Sequence, residues 1–558
     1  MKKEVRLLLI ISAMFFLSKL YAQNAHELLI PAPTTTVTYL SDAIMGDTTS
    51  SGTRKDPDRV YLLQRGGVYY NYALIRNTGW TLRIKAQPGK GAKPIIYQLA
   101  NPTTGAVQGQ LVDVRGDVWM QSVCVSMRLE ADPTTLTLNF GSVLATNAAG
   151  FTITVDSCIL SNVSGQIIRT ASACRAVKVT NSILANSGNL SVSNFGAGKG
   201  IDLRDGSCDT LLFKNNTFVN FLDRIIRHRT STANLNNLIF DHNTIINSCS
   251  YHGQFALGWM GNSATITNNL FVDAFALGAD TDKVRQVEFD ESGEKDQYGG
   301  NAMNWVLSVP NAITKWTVKY NYFTITPTAQ TWFAKYATGG TAPFLPYTGD
   351  NLYAVPLTHH IKSKIGADST TAFTLGTVAL NKYPKLMTVL MDWYRSPAGG
   401  NKTKNTPTSK YDITKQDFDR KNLLYYRDSM DCKFSTSAAA YTAGYKGQPV
   451  GALTWWNMSI VGVQKVNDVI PTNFSLEQNY PNPFNPSTKI AYNIPKQSNV
   501  KVEVFDVLGR LVTTLVNATQ AAGQYSVEFD ATRLSSGMYI YRLSTPETSI
   551  ARKMLLMK

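Results

Sequence analysis

The middle of the chain contains a short motif that recurs about every 26 residues. Each copy begins at an apolar residue, continues through polar residues and a small or amide residue, and ends on mostly apolar positions. The copies are VDSCIL (155–160), VTNSIL (179–184), FKNNTF (213–218), FDHNTI (240–245), ITNNLF (266–271) and VKYNYF (318–323). Their starts are 24, 34, 27, 26 and 52 residues apart, and we interpret the last interval as two periods. This pattern is typical of a strand that enters a tight turn.

A period in the twenties built from strands and polar turns leaves two kinds of solenoid, the leucine-rich repeat and the parallel β-helix. The chain lacks the regular leucines and the helical half of the first kind. We therefore predict an all-β protein whose main domain is a right-handed parallel β-helix. Equivalent residues of successive coils then stack about 4.8 Å apart. The fourth motif position becomes a column that reads Cys158, Ser182, Asn216, Asn243, Asn269 and Asn321.

The four asparagines of this column are predicted to point inward and to form an amide ladder, because each side chain can donate to one neighbour and accept from the other. The alternative is that asparagine is simply frequent in turns. The same registration places Cys174 and Cys208 at one position of successive coils, each eight residues before its ladder residue. Either a disulfide or a buried pair of thiols fits that spacing.

The first 22 residues have the organisation of a secretory signal peptide. Lys2, Lys3 and Arg6 precede an apolar stretch at 7–17, and a small residue, Ala22, ends the segment. The apolar stretch is too short for a membrane anchor, and no later segment is predicted to span a bilayer. Export removes nucleic acid as the expected partner for the excess of 54 Lys and Arg over 39 Asp and Glu, and favours an acidic polysaccharide.

Residues 471–558 alternate apolar and polar positions with turns every 8 to 12 residues, which predicts a small Ig-like β-sandwich. They closely resemble the type A C-terminal sorting domain of the bacterial type IX secretion system. The resemblance implies recognition by type IX secretion machinery at the outer membrane, followed by release or surface attachment. The matching residues are Asn479, Tyr480, Pro481, Asn482, Pro483, Phe484, Asn485, Pro486, Val504, Asp506, Gly509, Arg510, Leu534, Gly537, Tyr539 and Lys553.

Residues 58–98 resemble the first coils of secreted β-helix proteins that process polysaccharides. We accordingly divide the chain into a lead-in at 24–57, the β-helix at 58–325 and an irregular extension and cap at 326–465. The segment YTAGYKGQPVGALTWW (441–456) resembles an end-strand of such proteins and is expected to cover the C-terminal edge of the solenoid. The matching residues of the first coils are Gly66, Gly67, Tyr69, Ile84, Ala86, Gly89, Pro94, Ile95 and Ile96.

Three arginines, Arg169, Arg204 and Arg227, are predicted to stack on one outer face of successive coils. They either pair with the acidic residues of the same strands (Asp202, Asp205 and Asp223) or bind carboxylates or sulfates of an acidic sugar, for which the planar guanidinium is suited. The predicted border of this face comprises Lys199, His228 and the loop from Tyr251 to Gln254.

Residues 200–229 resemble the catalytic stretch of the β-helix alginate and chondroitin lyases, which use a lysine base and, one coil later, an Arg-His-Gly segment. Arg227 and His228 match the second motif, whereas Gly206 stands where the lysine would be. The resemblance implies β-elimination, which requires a neutralising cation and a base. The residues assigned to this site are Arg227, His228 and Lys199 for catalysis and Arg169, Arg204, Arg229, Tyr251 and His252 for substrate binding.

No cofactor is predicted. The acidic loop VEFDESGEKD (287–296) could hold Ca²⁺ or could simply be solvated. We expect a monomeric, secreted or surface-held protein that binds an acidic polysaccharide and could cleave it by β-elimination. A non-catalytic adhesion protein of the surface or matrix is the alternative.

Overall fold

The structure is a computed structural model of the full chain. It describes residues 25–33, 38–127, 141–146, 148–188, 197–204, 206–228, 233–249, 253–274, 304–337, 357–395, 430–456, 464–467, 471–496, 498–520, 522–531 and 534–557. The chain divides into two compact units, Met1–Trp456 and Asn457–Lys558.

The first unit consists mainly of short strands. In chain order they are β1 (Glu27–Ile30), β2 (Val60–Leu63), β3 (Val68–Asn71), β4 (Ile75–Arg76), β5 (Leu82–Ala86), β6 (Ile95–Gln98), β7 (Gln110–Asp113), β8 (Val118–Gln121), β9 (Cys124–Ser126), β10 (Ser142–Thr146), β11 (Thr152–Asp156), β12 (Ile159–Val163), β13 (Gln166–Thr170), β14 (Cys174–Thr180), β15 (Ile183–Ser187), β16 (Lys199–Arg204), β17 (Cys208–Lys214), β18 (Thr217–Phe221), β19 (Ile226–His228), β20 (Leu235–Asp241), β21 (Thr244–Ser248), β22 (Phe255–Thr267), β23 (Leu270–Ala274), β24 (Val306–Val309), β25 (Lys315–Lys319), β26 (Asn321–Thr324), β27 (Phe373–Leu375), β28 (Leu380–Lys382) and β29 (Asp431–Phe434).

Four α-helices accompany these strands: α1 (Leu40–Met45), α2 (Pro327–Ala337), α3 (His359–Ile365) and α4 (Thr388–Arg395). Short 3-10 helices lie at Gly366–Thr370, Ala439–Tyr441, Tyr445–Gly447 and Leu453–Trp456. No helix in the part of the chain that the structure describes is long and apolar enough to cross a membrane.

The strands form a parallel β-helix with three faces, as predicted. Face 1 contains β1, β2, β5, β8, β11, β14, β17, β20, the second half of β22, and β25. Face 2 contains β3, β6, β9, β12, β15, β18, β21, β23, β26 and β27. Face 3 contains β4, β7, β10, β13, β16, β19, the first half of β22, and β24. The first coil begins earlier than the predicted residue 58, because β1 pairs in parallel with β2.

The predicted asparagine ladder is present and buried. The Nδ2 of Asn216 donates to Oδ1 of Asn243 (3.0 Å), that of Asn243 to Asn269 (3.1 Å) and that of Asn269 to Asn321 (2.8 Å). Each of these side-chain amides also donates to a main-chain carbonyl, and Ser182 N–H donates to Oδ1 of Asn216. The ladder therefore satisfies turn backbone that would otherwise be buried without partners.

One interval of the repeat was interpreted wrongly. The 52 residues between the last two motif copies form one coil, not two, because Leu270 pairs directly with Tyr322 and Asn269 donates directly to Asn321. The extra length lies between β23 and β24, where residues 275–303 are outside the described part of the chain. Cys174 and Cys208 do occupy one register position, and both are buried free thiols.

Two short helices close the ends of the β-helix. Leu40 and Ile44 of α1 and Ile361 of α3 have no exposed surface and belong to the same hydrophobic cluster as the inward residues of the coils. The prediction that the segment at 441–456 covers the C-terminal edge is wrong. The segment lies along the side of face 2, where Ala452 N–H and Trp455 Nε1 donate to the hydroxyls of Thr244 and Thr217.

The second unit contains two four-stranded antiparallel sheets that enclose their own core, which confirms a small β-domain. Its turns depend on the polar residues of the predicted motif. Oδ1 of Asp506 accepts from the N–H groups of Leu508 and Arg510, and Asn479 Nδ2 donates to Pro481 O and to Thr488. The strands are β30 (Gln464–Asn467), β31 (Ser475–Leu476), β32 (Ser487–Ile494), β33 (Ser498–Asp506), β34 (Leu511–Gln520), β35 (Gly523–Asp530), β36 (Gly537–Ser544) and β37 (Ser549–Leu556).

Candidate functional site

Face 3 carries a row of charged residues that follows the axis of the β-helix. Strand register places one residue of each successive coil in this row, about 4.8 Å from the next. We call the row the arginine column. From β4 to β19 it reads Arg76, Asp113, Ala145, Arg169, Asp202 and Arg227.

The predicted position of Arg204 is wrong. Asp202, not Arg204, lies in the column between Arg169 and Arg227. Arg204 is two residues further along, at an irregularity in the pairing of β16 with β19, and its φ of 48° belongs to the left-handed region. Two of the three predicted arginines therefore share the column, and the third reaches the same carboxylate from the side.

Asp202 is the charge centre of this part of the column. Its side chain has no exposed surface, and its Oδ2 lies 3.4 Å from Arg227 NH1 and 3.9 Å from Arg204 Nε. The main-chain N–H of Arg204 donates to the other oxygen at 3.2 Å. A buried carboxylate without cations would be costly, so these contacts explain why an aspartate is tolerated here.

Arg169 lies on the other side of Asp202, and its guanidinium makes no hydrogen bond or ion pair with any residue in the described ranges. Partial burial lowers the pKa of Arg169, and the nearby cations Arg204 and Arg227 lower it further, against the opposite effect of Asp202. The cluster thus combines three guanidinium groups with one carboxylate. The cluster is therefore net positive, and Arg169 is the one of its three arginines that forms no ion pair with a described residue.

The earlier half of the column repeats this arrangement. Oδ2 of Asp113 accepts from Arg76 Nε (2.7 Å) and from Arg115 Nε (3.0 Å). The two arginine side chains are 50% and 47% exposed, whereas Asp113 is nearly buried. Sequence reasoning missed Arg76, Asp113 and Arg115, although the signal was visible: Asp-x-Arg occurs at 113–115 and again at 202–204.

Lys199, assigned as a base, is buried instead of bordering an open face. Its side chain is 1% exposed, and Nζ lies 3.0 Å from Oδ2 of Asp223, which is equally buried. Burial lowers the pKa of Lys199, and Asp223 opposes that shift. Arg224 lies on the same carboxylate, with Nε 3.9 Å from Oδ1. This second cluster is therefore an internal ion pair in the described structure.

His228 is also buried, with both ring nitrogens facing main-chain oxygens. Nδ1 lies 3.0 Å from Leu257 O, and Nε2 lies 3.1 Å from Gly206 O. Both ring nitrogens therefore face the protein's own backbone and not an open surface.

The position of the lysine found in the lyases is closed by packing. A Cβ atom on Gly206 would lie 2.5 Å from the main-chain oxygen of Ser172 and 2.6 Å from its carbonyl carbon. These atoms belong to the backbone of the preceding coil and cannot move aside cheaply. Glycine at 206 is therefore required by the stacking of the coils, and a lysine there would need a different local backbone.

Several predicted residues lie outside the described ranges: Asp205, Arg229, Tyr251, His252, the signal peptide and the acidic loop at 287–296. Gln254, at the end of the predicted border, is buried, and its main-chain N–H donates to Trp305 O at 2.9 Å. Within the described ranges no group of three or more His, Cys, Asp or Glu residues could hold a metal ion.

One family model matches the C-terminal unit of the chain. No curated protein and no solved structure gives a significant match to the chain. Residues 478–557 match the family described as the secretion system C-terminal sorting domain. The match covers strands β32 to β37 and the turn residues Asn479 and Asp506. The chain therefore carries a type IX sorting domain and is exported to the cell surface or released from the cell.

Proposed function

We propose that this exported β-helix protein binds an acidic polysaccharide through Arg169, Arg204 and Arg227. The observation that carries the proposal is the charge imbalance around Asp202. Three guanidinium groups share one buried carboxylate, and Arg169 has no partner within the described ranges. A carboxylate or sulfate of the ligand would supply the missing negative charge, and the planar guanidinium can hold it with two parallel hydrogen bonds.

Export supports the class of ligand. A type IX sorting domain takes the protein to the cell surface or beyond. An exported protein with excess positive charge meets acidic polysaccharides there, whereas the nucleic acids of the cell stay inside. The site also lies on a regular parallel sheet whose strands repeat along one axis, so a ligand with its own repeating charges can meet more than one coil.

Cleavage of the ligand has less support than binding. A β-elimination needs a base that reaches the proton next to the carboxylate. Lys199 is paired with Asp223 and His228 faces two carbonyls, and neither side chain reaches solvent in the described structure. The protein as we propose it binds without cutting. The assay is the absorbance of unsaturated uronate products on alginate, chondroitin, heparin and pectate, and a steady rise in absorbance would reinstate the lyase hypothesis.

Replacement of Arg169 by Gln tests the binding site. We expect affinity for the preferred polymer to fall roughly ten- to a hundredfold, because a charge-assisted contact contributes about 1.5 to 3 kcal/mol. Affinity of the unchanged protein should also fall as salt rises, since surface charges are screened over about 10 Å at 0.1 M. Affinity electrophoresis or a biosensor with the same four polymers gives both measurements.

The matched control is Lys178→Gln, which removes one positive charge from an exposed position of β14 on face 1. If both variants bind equally well, the arginine cluster is not the site. The chain would then hold polymers only through its overall positive charge, as an adhesive rod would.

A further inference from the structure

The arginine column contains two copies of one charged unit with a gap between them. In each copy an aspartate of the column contacts two arginines. One is the neighbouring arginine in the column, and the other stands two residues after the aspartate in the sequence. The first copy is Asp113 with Arg76 and Arg115, and the second is Asp202 with Arg227 and Arg204. In each copy, side-chain nitrogens of two arginines lie within 4.0 Å of one aspartate.

Ala145 and Arg169 lie between the two copies. Ala145 pairs with Asp113 on one side and with Arg169 on the other. A carboxylate at this position would complete the alternation of charge along the column, but alanine offers only a methyl group. Arg169 therefore faces an uncharged position towards Ala145 and an aspartate that is already engaged on its other side.

The column is long enough for several charges of a polymer. Five strand steps separate Arg76 from Arg227, which corresponds to roughly 24 Å at the ordinary spacing of strands. This length carries the arginines at 76, 115, 169, 204 and 227 against the aspartates at 113 and 202. A single small anion would neutralise only one part of this surface.

We propose that one anionic group of the ligand lies over Ala145, between Arg115 and Arg169, and takes the place of the carboxylate that the column lacks. The inference rests on the proposed function and extends it. It assigns a bound position to one charge of the polymer, attributes that position to the short side chain of Ala145, which is 9% exposed, and adds Arg115 to the site. The polymer then lies along the axis of the β-helix.

The test supplies the missing carboxylate from the protein itself. Ala145→Asp should weaken binding of the preferred acidic polymer at least tenfold, because the new side chain occupies the position of the ligand's anion and pairs with Arg169. Ala145→Asn has nearly the same shape without the charge and should bind at least several-fold better than Ala145→Asp. Both are measured in the full-length exported protein, together with Arg169→Gln.

Thermal unfolding provides a readout that does not depend on the ligand. In its absence Ala145→Asp should unfold at a higher temperature than Ala145→Asn at low salt, and the difference should shrink as salt is added. A lower unfolding temperature for the aspartate variant would show that Arg169 and Arg115 do not face this position.

The outcomes separate this inference from the function on which it rests. If Arg169→Gln loses binding while Ala145→Asp and Ala145→Asn bind equally, the polymer uses the arginines but its anion does not lie over Ala145. If none of the three substitutions changes binding, the proposed function itself is wrong.

Discussion

A second column of turn residues contains asparagines in four successive coils and an aspartate in the next, and the two residue types make different hydrogen bonds there. A second buried ladder runs through Asn162, Asn186, Asn220 and Asn247, each with a φ between 53° and 63°. Asparagine adopts this left-handed conformation more readily than most residues. In the next coil the register places Asp273 beside Asn247. The aspartate accepts instead from the N–H and hydroxyl groups of Thr326, at 2.8 and 2.6 Å.

Asp273 should make the stability of the β-helix depend on pH. Burial raises its pKa from the ordinary 3.8 to about 6, with only partial compensation by Thr326. The native state then binds a proton more tightly than the unfolded chain, so the free energy of unfolding falls as pH rises from about 4 to about 6. The loss is on the order of 3 kcal/mol and persists above that range.

The measurement is chemical unfolding of the wild type and of Asp273→Asn between pH 4 and pH 8. The asparagine variant should show a smaller fall, because it has no charge to bury. Asp209→Asn, at an exposed position of β17, controls for the loss of any carboxylate. Parallel pH curves for the wild type and Asp273→Asn would contradict the assignment.

At the scale of elements, the sequence predicted those parts of the fold in which the same residue type recurs at the same position of successive coils. The ladder through Asn216 and Asn243 was found because the same residue type recurs at the same motif position. The second ladder has an equally clear signal: an asparagine stands four residues after each of the first four motif positions of that column, at 162, 186, 220 and 247.

The errors in registration arose where coil length varies. Arg204 was misplaced because its position was matched to the other two arginines across a long insertion in its coil, and the irregular pairing after Asp202 shifts the frame. The interval of 52 residues was taken as two coils because it is twice 26. One coil with a long insertion has the same length, so length alone does not distinguish the two. The position of 441–456 could not be derived either, because face 2 is apolar on its outer side and nothing local indicates which segment covers it.

The amide ladder should stabilise neighbouring coils together. Asn243→Ala removes the acceptor for Asn216 Nδ2 and for the main-chain N–H of Asn216, and leaves Phe213 O without its side-chain donor. Because these groups stay buried, we expect a cost on the order of 1 to 3 kcal/mol in the free energy of unfolding. Equilibrium denaturation is the measurement.

A suitable control for the ladder is Asn236→Ala. Asn236 donates to Asp209 at 2.9 Å in an exposed contact, so its loss should cost much less than the loss of Asn243. Equal costs for the two substitutions would mean that the buried ladder contributes no more than an exposed hydrogen bond.

At the scale of the whole molecule, the two units have separate hydrophobic cores. The boundary predicted at residue 471 is slightly late, because β30 at Gln464–Asn467 pairs with β35 of the sorting domain. The apolar–polar alternation that reveals the other strands is too short at β30 to be recognised in the sequence. Truncations should therefore be placed after Trp456 and not at residue 471.

Deletion of residues 457–558 should leave a folded β-helix that accumulates in the periplasm. The remaining unit keeps all of its coils and both end helices, whereas the recognised sorting domain is lost. Cell fractionation measures the distribution, and circular dichroism with limited proteolysis checks that the retained protein is folded. A truncated protein that reached the medium at normal yield would show that another segment directs export.

The two asparagine ladders run in opposite directions along the axis. In the first, each side-chain amide donates to the following coil, and in the second each donates to the preceding coil. Amide dipoles of one ladder therefore oppose those of the other, unlike the aligned peptide dipoles of an α-helix. The β-helix can gain coils without accumulating partial charge at its ends. Apolar side chains such as Leu40 and Ile361 are then sufficient to close those ends, and length can change while the electrostatics of the ends stays the same.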